Sequence, residues 1–540
     1  MVRNMSKNKE AISNEQLNLN IISRVAMGDM LRRRSRSHGQ TEAIVEYIGG
    51  QRRATSYATL NDNANKIARG LRANGISQGD RLALVASNSS NFLAIMFACF
   101  KAGIVVVPIN YLQNPDDVRF NFEHGEVRAM VYDAELEELC CQCAQDLEQI
   151  SFKLSLGDES KYCDATLSEL LTSQSDEEIF DIIIDDRDVA LVLYTSGTTS
   201  RPKGVETSHL ALTLASLNNP LSLGFTKGGA HLNILPTFHT TAINNAMSTL
   251  QMSGTFVIHT GFNPADVVAA LEEESIQSTV LLPMMWSALL AVPGVADRDY
   301  SALSAAIYGM APMSSKTLTD LREVFACDFH LGSGQTEFTP APCVFYDHSP
   351  TEFGEGNYWG VPTIMSEQAV LDDNGRECAA GEVGEICWRG PQSMNGYLKN
   401  PEATAEVRTH GWHHSGDLGF IDAKGQLMFV DRKKDIIKTG GENVSSCKVE
   451  AALVGLDAVA LAAVFGVPHP KWGEAVCAVL QLIPGSQLEE SIAISHCREL
   501  LAGYEVPKKV IIQEQIAVTS TGKVKKPDLR KQYAGLFSEE

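Results

Sequence analysis

The consecutive residues Thr195-Ser196-Gly197-Thr198-Thr199-Ser200-Arg201-Pro202-Lys203-Gly204 combine small hydroxyls, glycines and two cations. Such a stretch leaves hydroxyls and backbone N–H groups available as donors, with cations as clamps. That is the chemistry of a polyphosphate cradle. It departs from the common P-loop, where Ser or Thr follows the lysine, because Gly204 follows Lys203. A plain Ser/Thr/Gly surface loop has the same composition, so the remaining stretches must discriminate.

Five of them carry polar or glycine-rich chemistry: Tyr308-Gly309-Met310-Ala311-Pro312, Gly332-Ser333-Gly334-Gln335-Thr336-Glu337, Trp412-His413-His414-Ser415-Gly416-Asp417, Lys438-Thr439-Gly440-Gly441-Glu442-Asn443-Val444 and Thr521-Gly522-Lys523. In this order the set resembles the adenylate-forming superfamily: acyl-CoA synthetases, peptide-synthetase adenylation domains and firefly-type luciferases. The resemblance runs from about Ala43 to Lys526.

The resemblance implies an acyl-adenylate made from a carboxylate and ATP, with release of pyrophosphate, then transfer to a thiol. Joining two anions requires charge cancellation around the α-phosphate. Lys523 matches the adenylation lysine, and Glu337 the acid that holds Mg²⁺ against the phosphates. Thr336 would bond a phosphate oxygen, and Asp417 the ribose hydroxyls. Arg432 would contact the nucleotide, while Gly309, Met310, Ala311 and Pro312 would run along the adenine with Ser333, Gly334 and Gln335. Thr195 to Thr199 and Lys203 would hold the β- and γ-phosphates. His239, in Pro236-Thr237-Phe238-His239, matches a residue between the acyl and adenine sides. The acyl pocket would draw on His239, Thr240, Thr241, Asn244, Tyr308 and Gly332. Lys434 matches a hinge about which a small domain rotates, and Gly440 and Gly441 would then approach the nucleotide. Each residue also has a plainer reading: a solvated turn lysine at Lys523, a helix-capping acid at Glu337, a turn at Asp417, a core histidine at His239.

Three positions depart from the family pattern. Ser333 stands where many relatives carry an adenine-stacking aromatic. Ser200 replaces a loop glycine and so restricts the backbone. Lys448 lies where an acid is common.

The elements that position these residues read as alternating strands and helices. Apolar runs at Ala43–Ile48, Asp80–Ala86, Ile104–Pro108, Ala129–Tyr132, Val189–Tyr194, Leu232–Leu235, Thr255–His259, Ser278–Leu282 and Ala305–Tyr308 read as strands. Tyr57–Asn74 and Phe92–Ala102 read as helices. That rhythm predicts βαβ units in parallel sheets, whose strand carboxyl ends bind ligands. From Glu382 the pattern becomes hairpin-like, with a turn at Gly425. The segment from Cys140 to Asp188 reads as peripheral. The fold class is therefore α/β, with a large N-terminal domain of βαβ sheets, a β-rich subdomain and a small mobile α/β C-terminal domain. The expected divisions are a loose arm at 1–25, an AMP-binding domain at 26–431 and a mobile domain at 432–540. A hinge is expected in the charged run at 431–435.

The net charge of -21 argues against general nucleic-acid binding and a polybasic membrane anchor. From Arg432 onward, 14 Lys and Arg meet 13 Asp and Glu, so a near-neutral segment follows an acidic body. Twelve cysteines without framework spacing read as reduced thiols in a cytoplasmic protein. The expected activity is an AMP-forming acyl-CoA ligase acting with ATP, Mg²⁺ and coenzyme A on a fatty or aryl acid. Rival readings are an enzyme loading a carrier protein, a luciferase-like oxygenase and a non-catalytic nucleotide sensor. Homo-oligomerisation is left open.

Overall fold

The computed structural model describes residues 12–195, 201–309, 313–347, 356–518 and 524–538. Three sheets organise it. The first runs Gly396–Tyr397, Lys203–Ser208, Val189–Thr195, Val105–Pro108, Arg81–Val85, Val127–Tyr132, Phe152–Ser155, Ala165–Thr166. Its centre is parallel, and Lys203–Ser208 returns antiparallel to Val189–Thr195. The second sheet begins with the hairpin Glu42–Ile48 and Gln51–Ser56. It continues through parallel Thr255–Ile258, Ala230–Asn233, Ile276–Leu281, Ala305–Gly309 and Phe329–Ser333. It then turns antiparallel through Cys343–Asp347, Tyr358–Pro362, Leu427–Arg432, Trp412–Ile421, Gly384–Arg389 and Glu367–Leu371. The third, smaller sheet is formed after Asp435, around the long pair Val459–His469 and Gly473–Leu482. This is the mixed α/β architecture expected, with a large N-terminal and a smaller C-terminal domain.

The helix Ser90–Ala102 shows how the large core is made. The Ser89 hydroxyl accepts from the Phe92 N–H at its start, and Gly103, at φ 65°, stops it. Every residue from Phe92 to Ala102 is buried. A helix apolar on all sides needs cover on all sides. It packs on Tyr57–Ala73 within one cluster that also takes Ile44 and Phe256 from one sheet and Leu82 and Val106 from the other. The small domain has two clusters of its own, one on each face of its sheet. Among the described residues no helix is long and apolar enough to cross a membrane.

Three expectations change. Within the expected arm, Asn14–Ser23 is a helix, and Asn20 Nδ2 donates to the Ile184 carbonyl at 2.8 Å. The Cys140–Asp188 segment is only partly peripheral. Cys140 and Cys143 are buried, and two of its strands extend the first sheet. Its later part straps the core: Lys101, only 4% exposed, meets Glu178 at 2.7 Å, and Asn61 donates to the same carboxylate at 2.9 Å. Finally, the stretch Trp412–Asp417, which the sequence reads as lying ahead of the hairpin turning at Gly425, is itself part of the hairpin strand Trp412–Ile421.

Glu178→Ala would leave Lys101 buried without its counter-ion. The unfolding free energy should fall by about 3 kcal/mol, read from the urea midpoint. Replacing both residues with apolar ones of similar size should recover most of that loss.

Candidate active site

Thr195 and Lys203 face each other at the open end of an antiparallel pair. The Thr195 hydroxyl donates to the Lys203 carbonyl at 3.4 Å. The strands on either side of this stretch are therefore antiparallel neighbours in one sheet, whereas a P-loop leads from a strand into a helix. Ser196, Gly197, Thr198, Thr199 and Ser200 lie outside the described residues. Both cations flanking them rest on rings. Arg201 lies 5.0 Å from the Phe120 ring centre, and Lys203 Nζ 4.7 Å from that of Tyr397. Phe120 stacks on His124, whose Nδ1 bonds the Tyr194 hydroxyl at 2.9 Å.

Tyr397 is the residue that sequence reasoning missed. Its hydroxyl donates to Glu337 Oε1 at 2.8 Å while its ring carries Lys203. Burial, then Glu337, pushes its phenol above the ordinary range, so it stays a donor. It is held by pairing with Val205 and by the Leu398 N–H bond to the Gly204 carbonyl at 2.7 Å. One side chain thus joins the base of the phosphate-type loop to the candidate metal acid. Tyr397 lies far from both in sequence, and no spacing rule links them.

Glu337 sits in a short 3₁₀ turn, Thr336–Phe338, just beyond the strand Phe329–Ser333. That strand ends beside Ala305–Gly309, with Gly309 opposite Gly332. A Cβ on Gly334 would lie 1.9 Å from the Pro340 carbonyl oxygen, so only glycine fits. Ser333 is buried, and its carbonyl accepts from Cys343 Sγ at 3.5 Å. Met310, Ala311 and Pro312 lie outside the described residues.

Asp417 and Arg432 are cross-strand partners, with Nε and Oδ1 3.8 Å apart. The Asp417 N–H bonds Ser415 Oγ, which in turn donates to the Ile386 carbonyl at 2.6 Å. Lys434 joins this group electrostatically. Burial and then Arg432 pull its ammonium below the usual range, against Asp435 and Asp417. Gln335 Nε2 lies 2.7 Å from His413 Nε2, tying the Glu337 segment to the Asp417 strand. Burial, then Arg408 and His414, lower the His413 pKa to about 4. The imidazole is therefore neutral and accepts from Gln335.

On the other flank, Asn88 accepts from both the N–H and the hydroxyl of Thr237, which fixes the turn to His239. His239 opens the helix Thr240–Gln251 and packs edge-on to Phe238, 4.7 Å between ring centres. Asn244 Nδ2 donates to the Thr339 carbonyl at 3.2 Å, two residues past Glu337. Tyr308 is buried in its strand, and Thr240, Thr241 and Gly332 are half-buried.

In the small domain Gly440 and Gly441, at φ 61° and 92°, form a turn only glycine adopts freely. The Gly440 N–H donates to the Trp472 carbonyl at 2.8 Å. The structure thus groups this turn with Trp472 rather than with Glu337. Lys523 lies outside the described residues; Val518 and Val524 on either side of it pair antiparallel. Asp431, in the charged run where a hinge is expected, is only 1% exposed. It accepts from the N–H and hydroxyl of Ser446, the latter at 2.7 Å, and so caps the helix Ser446–Val454. Lys526 bonds the same Ser446 hydroxyl at 2.7 Å and Glu450 at 2.8 Å. Lys448 has a clear role, since it pairs with Glu505 at 2.7 Å.

Among the described residues no three His, Cys, Asp or Glu side chains gather as a metal cage. A lone carboxylate such as Glu337 suits a Mg²⁺ whose other ligands are phosphate oxygens and water.

Cations at the loop and carboxylates at the strand ends are the kinds of group that a nucleoside triphosphate and its metal ion require. Residues 31–398 match the AMP-binding enzyme family, and residues 448–523 match the AMP-binding enzyme C-terminal domain. The chain belongs to the AMP-binding enzyme family, and it is an AMP-forming acid–thiol ligase that uses ATP. It is 32% identical to a feruloyl-CoA synthase of an Amycolatopsis species, over 89% of this chain and 94% of that one. It is 30% identical to the long-chain-fatty-acid–CoA ligase FadD13 of Mycobacterium tuberculosis, over 94% and 98%. The fold matches ATP-bound MatB from Rhodopseudomonas palustris with a TM-score of 0.84 at 25% identity, covering 94% of this chain and 99% of that one.

Two outcomes are expected. Tyr397→Phe keeps the ring under Lys203 but removes the bond to Glu337. Its kcat/KM for ATP should fall about 10-fold in a pyrophosphate-release assay. For His413, the unfolded chain binds a proton below about pH 6.5 while the folded site refuses it until about pH 4. Thermal midpoints should therefore drop as pH falls through that window, and His413→Gln should shrink the drop.

Proposed function

We propose that this ligase converts a fatty or aryl acid to its acyl-adenylate and then to its coenzyme A thioester. The observation that carries this reading is the Lys203–Tyr397–Glu337 chain, which couples a phosphate-gripping loop to a metal-type acid. In the first step a carboxylate oxygen attacks the α-phosphorus, and the bond to the β-phosphate breaks to release pyrophosphate. Lys203 and the loop hydroxyls hold that leaving group. Mg²⁺, when bound at Glu337, offsets charge between phosphate oxygens. Lys523 bridges the carboxylate and the α-phosphate, Thr336 donates to a phosphate oxygen, and Asp417 and Arg432 hold the ribose. Gly309 and the 310–312 segment line the adenine with Ser333, Gly334 and Gln335. In the second step the thiol sulfur attacks the acyl carbon and AMP leaves.

We further propose the division into 26–431 and 432–540, with Lys434 as hinge. Lys434 feels both Arg432 and Asp417, and two separate apolar clusters lie beyond it. Rotation there would exchange Lys523 for the Gly440–Gly441 turn. Trp472, with Lys508 Nζ 5.2 Å from its ring centre, lies beside that turn and offers an aromatic, cationic face to a nucleotide-bearing thiol. All twelve cysteines are unpaired, which supports a cytoplasmic location.

Lys523→Ala should abolish acid-dependent pyrophosphate release while a supplied acyl-adenylate still yields thioester. Equal loss in both assays would sink the two-state assignment. Replacing coenzyme A with an acyl carrier protein should remove product; retained product would favour the carrier-loading alternative.

A further inference from the structure

We propose that Glu385 is a positioning residue: it holds the turn that aims Asp417 at the ribose and ties that turn to the residue ahead of Lys434. The proposal rests on the reading of Asp417 as the ribose acid and goes beyond it to the group that sets its place. Asp417 does not stand in a regular ladder. On the strand Trp412–Ile421, His414 pairs with Cys387 and Leu418 with Glu385. Ser415, Gly416 and Asp417 thus stand opposite Ile386 alone, and the strand is bulged there. A bulge takes backbone groups out of the ladder and re-aims a side chain, a device common beside active sites. Gly416, at φ 75°, makes the turn without the strain that a side chain would bring.

Groups freed by the bulge need other partners. Ser415 Oγ donates to the Ile386 carbonyl at 2.6 Å and accepts from the Asp417 N–H at 3.0 Å. The Gly416 N–H donates to Glu385 Oε1 at 3.1 Å. The Gly416 carbonyl accepts from the Lys433 N–H at 2.9 Å, and Lys433 Nζ returns to Glu385 Oε2 at 3.2 Å. Glu385, Gly416 and Lys433 thereby close a ring. His414 Nδ1 lies 3.3 Å from the same Oε2. The Glu385 side chain is 15% exposed, so its bonds to an N–H and an ammonium are largely shielded from water. Lys433 Nζ also reaches Asp373 at 3.4 Å, but that carboxylate stands in solvent, where the attraction is screened. The ring fixes both neighbours of the nucleotide groups. Asp417 follows Gly416, and Lys433 stands between Lys434 and Arg432, the cross-strand partner of Asp417. Glu385 acts without touching the nucleotide. A ribose acid displaced by about an ångström misaligns its bonds to both hydroxyls, and misaligned hydrogen bonds weaken steeply.

The test is calorimetry on the full-length enzyme, with Mg²⁺–ATP against Mg²⁺–2′,3′-dideoxyATP, which lacks both ribose hydroxyls. The unaltered enzyme should bind ATP about 10-fold or more tightly than the dideoxy nucleotide. Glu385→Ala should bring the two Kd values within about twofold of each other, by weakening ATP while the dideoxy nucleotide binds as before. Glu385→Gln keeps an oxygen for the Gly416 N–H and should keep most of the preference. Lys433→Met opens one side of the ring and should cut the preference about threefold. A merely structural role for Glu385 would weaken both nucleotides together, and that result overturns the proposal, as does a preference unmoved in Glu385→Ala. Thermal midpoints report folding; where Glu385→Ala is unfolded, the Lys433→Met preference decides in the same way. Equal affinity of the unaltered enzyme for the two nucleotides fails the ribose reading of Asp417, and this proposal with it. Acid-dependent pyrophosphate release then shows separately whether the ligase reading stands.

Discussion

The contact of Tyr397 with both Lys203 and Glu337 is the interaction on which the rest of the centre depends. Lys203 belongs to the first sheet and Glu337 to the end of the second. The two sheets share one apolar core around the helices Ser90–Ala102 and Tyr57–Ala73, which hydrophobic burial alone can assemble. The proposed phosphate chemistry demands more, since a cation for the phosphates and an acid for their metal ion must share one centre. A buried phenol meets that demand because its ring attracts an ammonium and its hydroxyl donates to a carboxylate. The phenol is kept protonated by the same burial that fixes it.

A second constraint operates where the domains meet. Asp431 lies in the strand Leu427–Arg432 of the large domain, yet it caps the first long helix of the small one. Lys526 reaches the same serine and neutralises Glu450. Arg530 meets Asp435 at 2.9 Å. The charged run around Lys434 is thus a set of matched partners across a turn. Local buried pairs of this kind favour defined orientations, because moving one partner alone would leave a charge uncompensated.

Much of the fold was legible in the residue order. The strand Ala305–Gly309 and the helix Tyr57–Ala73 lie within a residue or so of their expected ends, because hydrophobic period and capping chemistry are local. The first half of the strand Trp412–Ile421 was not, since it mixes histidines, serine and glycine, and His413 and His414 pair with the remote strand Gly384–Arg389. Asp431 misled for a similar reason. A charged residue reads as solvated until a remote helix N-terminus is brought onto it.

The sequence by itself determined the class of chemistry through a resemblance: the stretch 195–204, then Glu337, Asp417 and Lys523, taken in order, resemble the adenylate-forming superfamily. That resemblance is readable in the residue order because each motif is short and contiguous. Tertiary structure alone decided which groups meet. It joined Tyr397 to Glu337, Gln335 to His413 and Asn244 to Thr339. Such pairs are separated by tens of residues in the chain and become neighbours only when sheet register and helix packing fix their distance.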